Sequence, residues 1–253
     1  LLNIPISLIA LIGAWWVLKG VPQRRTTGRF DYVGTLLIAL ALVGLNVGLG
    51  TSPEAAVTAT DFNELEQAGT GLNVLFLVLG AVAFLLFLWV EWRVRHPLIR
   101  LSMFRSRNFS SASVTSLLVG YCLAIGLVSA PLLVNFRVDT PTSDQIQEAA
   151  LIAGVLLSGL TVPMAVAAIP GGWLSDRYGY RWPTATGLLL AAIGFLLTGT
   201  VWDNDTSYWT MGAHMVVIGV GLGLTISPIR TAALNDVHED ERGIAAGLIL
   251  NLR

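Results

Sequence analysis

Long unbroken apolar runs, separated by short polar gaps, set the pattern of this chain. Eight runs cover Leu1–Leu18, Val33–Gly50, Leu72–Val90, Ser110–Asn135, Ala149–Leu174, Pro183–Val201, Trp209–Pro228 and Gly243 onward. Each complete run has about the 17–25 residues, or slightly more, that a helix needs to cross a ~30 Å hydrocarbon layer. The runs are continuous and lack a period of two, so they predict helices and not barrel strands. A bilayer offers the backbone no water, and a helix satisfies its own N–H and C=O groups. The prediction is an all-α integral membrane bundle with eight transmembrane helices, the last incomplete.

Charge in the gaps orients these spans. Segments 19–32, 91–109, 175–182 and 229–242 hold 13 of the 15 Lys and Arg residues, whereas 51–71, 136–148 and 202–208 hold only Arg137. The positive-inside rule puts the first set in the cytoplasm and the second outside. Trp15, Trp16, Trp89, Trp92, Trp173, Trp182, Trp202 and Trp209 all fall near predicted span ends, as an interfacial belt does. Composition agrees: 54% of residues are hydrophobic and 12% charged, against about 25% charged in a soluble domain. A net charge of −1 says nothing about nucleic acid, and no nucleic-acid partner is expected of such a membrane protein. Cys122 is the single cysteine, which excludes a disulfide framework and reads as a small packed hydrophobe.

The first run opens on Asn3 and Pro5, where a signal peptide would carry basic residues. Residue 1 is Leu, and the last run stops at Arg253, about halfway across a bilayer. The chain therefore reads as an internal fragment of a larger protein.

Polar residues within the runs are few. All 16 Asp and Glu fall in loops or at their margins, with Glu91 and Glu148 nearest to entering a span. A carboxylate buried in the membrane is the usual means of proton coupling, because low dielectric raises its pKa, and these spans offer none. Arg253 falls inside the last run, where a central Arg costs about 2.5–3.5 kcal/mol; it either lines a polar pathway or lies shallower than the run suggests. His214, in the outer third of its span, is a second pathway candidate, with packing or hydrogen bonding as the alternative. Asn46, Asn135 and Asn251 suit bridges between helices. Gly219-Val-Gly221-Leu-Gly223 lies inside a span and reads as a close helix contact, not a phosphate loop. Pro131, Pro163 and Pro170 predict kinks or loosened turns in two long spans.

Enzyme chemistry finds no support. His96, His214 and His238 belong to separate segments with no metal-ligand spacing. Neither a nucleophile elbow nor a Walker-type phosphate loop occurs. Asn204-Asp-Thr206 matches a glycosylation acceptor formally, in a very short outward loop.

The densest polar cluster is Gly172-Trp-Leu-Ser-Asp-Arg-Tyr-Gly-Tyr-Arg181, between the fifth and sixth runs. Asp176 suits the cap of the following helix, where negative charge is favoured. Arg177 and Arg181 hold the loop in the cytoplasm. Gly172 permits close approach, and Gly179 permits a turn with positive φ. These ten residues resemble the signature cytoplasmic loop of the major facilitator superfamily, found between the second and third helices of each six-helix half. The rest of the chain is similar to the 14-helix drug:proton antiporter branch. Phe30-Asp-Tyr-Val-Gly34 resembles the start of the first extra helix, and His96-Pro-Leu-Ile-Arg-Leu-Ser-Met-Phe-Arg-Ser-Arg-Asn-Phe109 the lead into the C-terminal half. Glu241-Arg-Gly-Ile-Ala-Ala-Gly247 with Asn251-Leu-Arg253 resembles the thirteenth helix, and Asn3-Ile-Pro-Ile6 the sixth.

The resemblance implies a major-facilitator-type bundle. Residues 1–18 would end the N-terminal half, 33–91 would form the two extra central helices, and 110–253 a truncated C-terminal bundle. It implies a multi-pass transporter of the cell membrane that exports hydrophobic or amphiphilic small molecules by alternating access. Protons would be the coupling partner, with the proton gradient in place of any cofactor. Gly172, Asp176, Arg177, Gly179 and Arg181 would form a conformational-gating loop. The alternatives are an exporter of one specific metabolite, and a non-transporting membrane receptor or scaffold with the same fold.

Overall fold

Side chains with short polar ends start the helices. The computed structural model describes residues 3–19, 31–50, 72–94, 99, 101–137 and 143–253. Helix α1 spans Asn3–Leu18 and α2 spans Tyr32–Leu49. Asp31 caps α2 by accepting from the Gly34 N–H at 2.8 Å. A side chain at Gly34 would meet that carboxylate at 2.5 Å, so the glycine makes the cap's room. Asn73 caps α3 (Val74–Arg93), Ser106 caps α4 (Arg107–Phe136) and Ser207 caps α7 (Tyr208–Asn235), each through its side-chain oxygen. Between them lie α5 (Ser143–Tyr178) and α6 (Arg181–Val201), and α8 (Arg242–Asn251) follows α7. Short 3₁₀ turns at Leu101–Arg105 and Glu239–Glu241 lead into α4 and α8. No strand occurs among the described residues.

Among the described residues, six helices, α2 to α7, are long and apolar enough to cross a membrane. Helix α1, with 16 residues, and α8, with 10, are shorter than the other two spans anticipated from the sequence. Several helices outrun their apolar stretches. Helix α5 has 36 residues and α7 has 28, so Glu148 and Asp176 are helical, and Arg230 lies inside α7 instead of in a loop. Hydropathy marks where a chain prefers lipid, whereas a helix can continue into the interface with polar residues on it. Pro131, Pro163, Pro170 and Pro228 all sit inside continuous helices.

The chain divides into two units, Leu1–Phe30 and Asp31–Arg253. In the first, the described side chains of α1 are exposed, including Trp15 and Trp16. In the second, α2 and α3 pair through small residues. A Cβ on Gly44 would lie 2.7 Å from the Gly80 Cα, and Ala41 and Ala83 are buried beside them.

Helix α7 is the hub of the remaining bundle. Its Met211, Met215, Ile218 and Leu222 are fully buried, together with Leu160 of α5 and Val119 of α4. Its glycines divide between neighbours by helical period. Gly219 and Gly223, four residues apart, press on the Leu160 and Met164 carbonyls of α5. Gly221 faces the backbone of Gly187 and Ala191 on α6. The outer surface carries Ile169, Leu189 and Leu196 at 63–76% exposure, an apolar area fitted to lipid and not to water. Cys122 packs half-buried against the core as a small hydrophobe.

Backbone contact at Gly219 makes a specific demand. Gly219→Val should destabilise the bundle by on the order of 1–3 kcal/mol, as overpacking does. Gly154→Ala, where a Cβ meets nothing within 4 Å, should cost nothing. Unfolding in mixed micelles followed by Trp fluorescence checks both; equal stabilities would remove the glycine seam as a constraint.

Candidate functional site

At the cytoplasmic end of α5, two glycines bring the helix onto its neighbour. A Cβ on Gly171 would meet the Leu224 carbonyl of α7 at 2.8 Å, and one on Gly172 would meet Ser227 Oγ at 3.0 Å. The last turn of α5 is thereby held against α7. Ser175, one turn beyond Gly171, is buried, while Trp173, Asp176, Arg177 and Tyr178 are exposed or nearly so. The Arg177 guanidinium lies over the rings of Trp173 and Tyr178 at 5.5 and 5.6 Å. Gly179 has φ +78°, the left-handed conformation expected of it, and turns the chain into α6. Thr184 Oγ1 donates to the Tyr180 carbonyl at 2.7 Å and firms the first turn of α6. Arg181 opens that helix and is exposed.

The capping expectation for Asp176 is corrected. Tyr180 holds the N-cap of α6 and no side chain caps it. Asp176 belongs to the last turn of α5, where the helix dipole disfavours a carboxylate and favours Arg177. Neither Arg177 nor Arg181 forms a salt bridge with Asp176 among the described residues, where the ion pair found is Arg242–Glu239. What the structure brings together is a turn with three outward charges.

Three further polar clasps tie helix ends together. On the cytoplasmic side, Ser106 Oγ donates to Asp236 Oδ2, and Asn108 Nδ2 donates to Asp236 Oδ1 at 3.0 Å, joining the start of α4 to the end of α7. The Ser106 and Asn108 bonds hold the Asp236 carboxyl below its usual range. On the outer side, Arg137 Nη2 donates to the Asp203 carbonyl at 2.7 Å and its guanidinium lies 5.0 Å from the Tyr208 ring. Thr206, then the Asp205 N–H, hold the Asp203 carboxyl below its usual range, with Arg137 adding a smaller push. Trp202 Nε1 donates to His214 Nδ1 at 3.2 Å, so His214 fastens the α6–α7 turn. The sequence counts Arg137 and Asp236 only as loop charges. The Ser-x-Asn pattern at 106–108 is the one local signal of the inner clasp.

Arg253 is half-buried, with its main chain against Gly120 of α4. It lines a cleft of about 10 Å³ with Arg230 and Ser116, room for one water at most and not for a solute. Glu91, read at a span margin, lies inside α3 and is 5% exposed; its Oε1 accepts from the Ile99 N–H at 3.1 Å. Residues 96–98 and 100 of the lead-in segment, and the gaps 51–71 and 138–142, lie outside the described residues. No group of three or more His, Cys, Asp or Glu able to hold a metal occurs among the described residues.

A larger space opens between the outer halves of α5 and α7. This crevice, about 590 Å³, is walled by Leu151, Val155, Leu156, Trp209, Ala213 and Val216. Gly159 and Gly212 lower its floor on the two helices. Such a wall can hold alkyl or ring surface and has almost nothing to offer a polar solute.

The family model described as Major Facilitator Superfamily matches residues 1–253. Among curated proteins, the chain is 31% identical to the triacylglyceride transporter of Mycobacteroides abscessus, over 99% of this chain and 47% of that protein. It is 32% identical to a triacylglyceride transporter of Mycolicibacterium hassiacum, over 99% of this chain and 45% of the relative. With the multidrug transporter protein MdtP of Bacillus subtilis it shares 28% identity, over 95% of this chain and 40% of that protein. The chain thus spans less than half the length of these relatives.

The inner clasp titrates in a defined direction. A carboxyl whose folded pKa is depressed contributes stability above its ordinary value of 3.8 and loses it as pH falls through the folded value. Asp236→Ala should therefore lower the unfolding midpoint by a constant amount from about pH 5 to 8, with the difference closing below about pH 4. A gap that persists in acid would show that the clasp does not depend on the carboxylate's charge.

Proposed function

The chain belongs to the Major Facilitator Superfamily, and on that premise we propose that the protein is a secondary transporter exporting hydrophobic or amphiphilic compounds, driven by protons. The observation that carries the substrate class is the apolar crevice of about 590 Å³ between α5 and α7. Two kinds of relatives fit such a wall, one named for triacylglycerides and one for multiple drugs. Export would proceed by alternating access, two helical bundles rocking about a central site. Proton coupling would use a carboxylate outside α4–α8, because the acidic side chains described on these helices lie toward their ends.

Asp176 is assigned the gating role. A carboxylate at the C-terminal end of a helix opposes the dipole by some tenths of a kcal/mol, and it caps nothing here. Its place is accounted for by a partner in one of the two end states of the transport cycle, with Arg177 and Arg181 as the matching cations. Gly172 and Gly179 hold the turn in register for that contact. Arg253, just beyond the C-cap of α8, is proposed to face the pathway, its guanidinium meeting an acidic partner when the bundles close.

Efflux in everted vesicles bearing the full-length protein tests this function. A hydrophobic dye should accumulate when a proton gradient is imposed and stop when a protonophore collapses it. Asp176→Asn should slow transport by roughly ten-fold, about 1.4 kcal/mol in the barrier, with unchanged membrane insertion. An undiminished rate would sink the gating role. Transport of a single polar metabolite without dye would select the narrow exporter, and no transport of any compound would select a receptor or scaffold.

A further inference from the structure

A second cavity, about 490 Å³, opens on the cytoplasmic side between the first turns of α4 and α6, with α7 as its floor. Arg107 and Arg181 stand at its mouth, one from each helix, and both are exposed. Deeper in, the serine and threonine hydroxyls are already spent on their own helices. Ser111 Oγ donates to the Asn108 carbonyl at 3.0 Å, Thr115 Oγ1 to the Ser111 carbonyl at 2.7 Å, and Thr184 Oγ1 to the Tyr180 carbonyl at 2.7 Å. Asn108 Nδ2 donates to one oxygen of Asp236, whose other oxygen accepts from Ser106. Past these the wall is Ala112, Ala185, Leu188, Ile229 and Ala232. From Arg107 to Thr115 the groove reaches roughly 12 Å along α4, at about 1.5 Å per residue.

Cationic donors at the interface and a self-satisfied, increasingly apolar wall below them suit one kind of molecule. We propose that this groove binds an anionic phospholipid of the inner leaflet, its phosphate between Arg107 and Arg181 and an acyl chain lying along α4 and α6. The charges are complementary, and the mouth lies where the positive-inside arrangement places lipid headgroups. A free anion would leave the lower groove unused. A zwitterionic lipid would bring its own cation to two guanidiniums. The site is separate from the α5–α7 crevice and does not depend on the transport reading, although Arg181 also belongs to the charged turn after α5.

Native mass spectrometry on the intact protein, released from nanodiscs of phosphatidylcholine with a rising fraction of phosphatidylglycerol, tests it. One phosphatidylglycerol should be retained in preference to phosphatidylcholine. Arg107→Gln with Arg181→Gln should weaken that retention roughly twenty-five-fold, taking each interfacial cation as about five-fold. Ala185→Trp, at an exposed wall position, should abolish retention with both charges in place. Arg105→Gln with Arg177→Gln, cations of the same face that do not line the groove, should leave it intact. Equal retention of the two lipids, an equal loss in the control pair, or inorganic phosphate binding as tightly as the phospholipid would each overturn the proposal. Retention in the Ala185→Trp protein would do the same, because the retained lipid would then lie outside the groove.

Discussion

Backbone-to-backbone contact along α7 is the constraint on which the bundle depends. In lipid, burying one more leucine against another gains little, since the hydrocarbon tails are equally apolar. Helices associate there through close van der Waals fit, and glycine is what lets two backbones meet. Helix α7 uses Gly219 and Gly223 toward α5 and Gly221 toward α6, while α5 and α6 answer with Gly171 and Gly187. Those positions admit no side chain without moving a helix. The large residues Met211, Met215, Ile218 and Leu222 then fill the spaces that the glycine contacts leave.

This seam decides where the charged turn can be. Gly171 and Gly172 hold the end of α5 on α7, so Asp176 and Arg177 ride on a helix that cannot slide independently of the hub. Gly179 supplies the reversal, and α6 is pinned to the far side of α7 through Gly187. The inner clasp at Asp236 and the outer clasps at Arg137 and His214 bind the helix ends in the same bundle. The polar turn is thus presented by a bundle whose helices are fastened to one another near both ends.

Much of this was legible in the amino acids, because the strongest signals are those of partition and of special backbone geometry. Apolar runs located α2 to α7, the glycine series at 219–223 read as a helix contact, and Gly179 took the positive φ assigned to it. Helix length was not legible. Asp176, Glu148 and Arg230 read as loop residues because hydropathy ends at the interface, whereas backbone hydrogen bonding does not. The cap assigned to Asp176 failed for the same reason: α5 runs on to Tyr178 and leaves Tyr180 at the N-cap of α6. Arg137 looked like an exception to a charge rule, and only contact with Asp203 and Tyr208 explains its place. Clasps between residues 106 and 236 join segments too far apart for any local pattern to link.

Hydroxyl groups complete the physical picture of how polarity is distributed. Ser113, Ser129, Ser158, Thr161 and Thr198 each donate to the carbonyl four residues earlier in their own helix. A hydroxyl bonded in this way presents little polarity to lipid or to a neighbouring helix, so it can stand in a span at small cost. Ser116 behaves differently: its Oγ donates across to the Ile249 carbonyl of α8 at 2.8 Å, beside Gly120 and Arg253. Helix α8 is therefore fastened to α4 where the half-buried guanidinium enters the bundle. Polar side chains elsewhere are turned inward on their own helix or gathered at the two ends. Directional bonding between helices is thus concentrated at the clasped ends and at the Ser116 contact with α8.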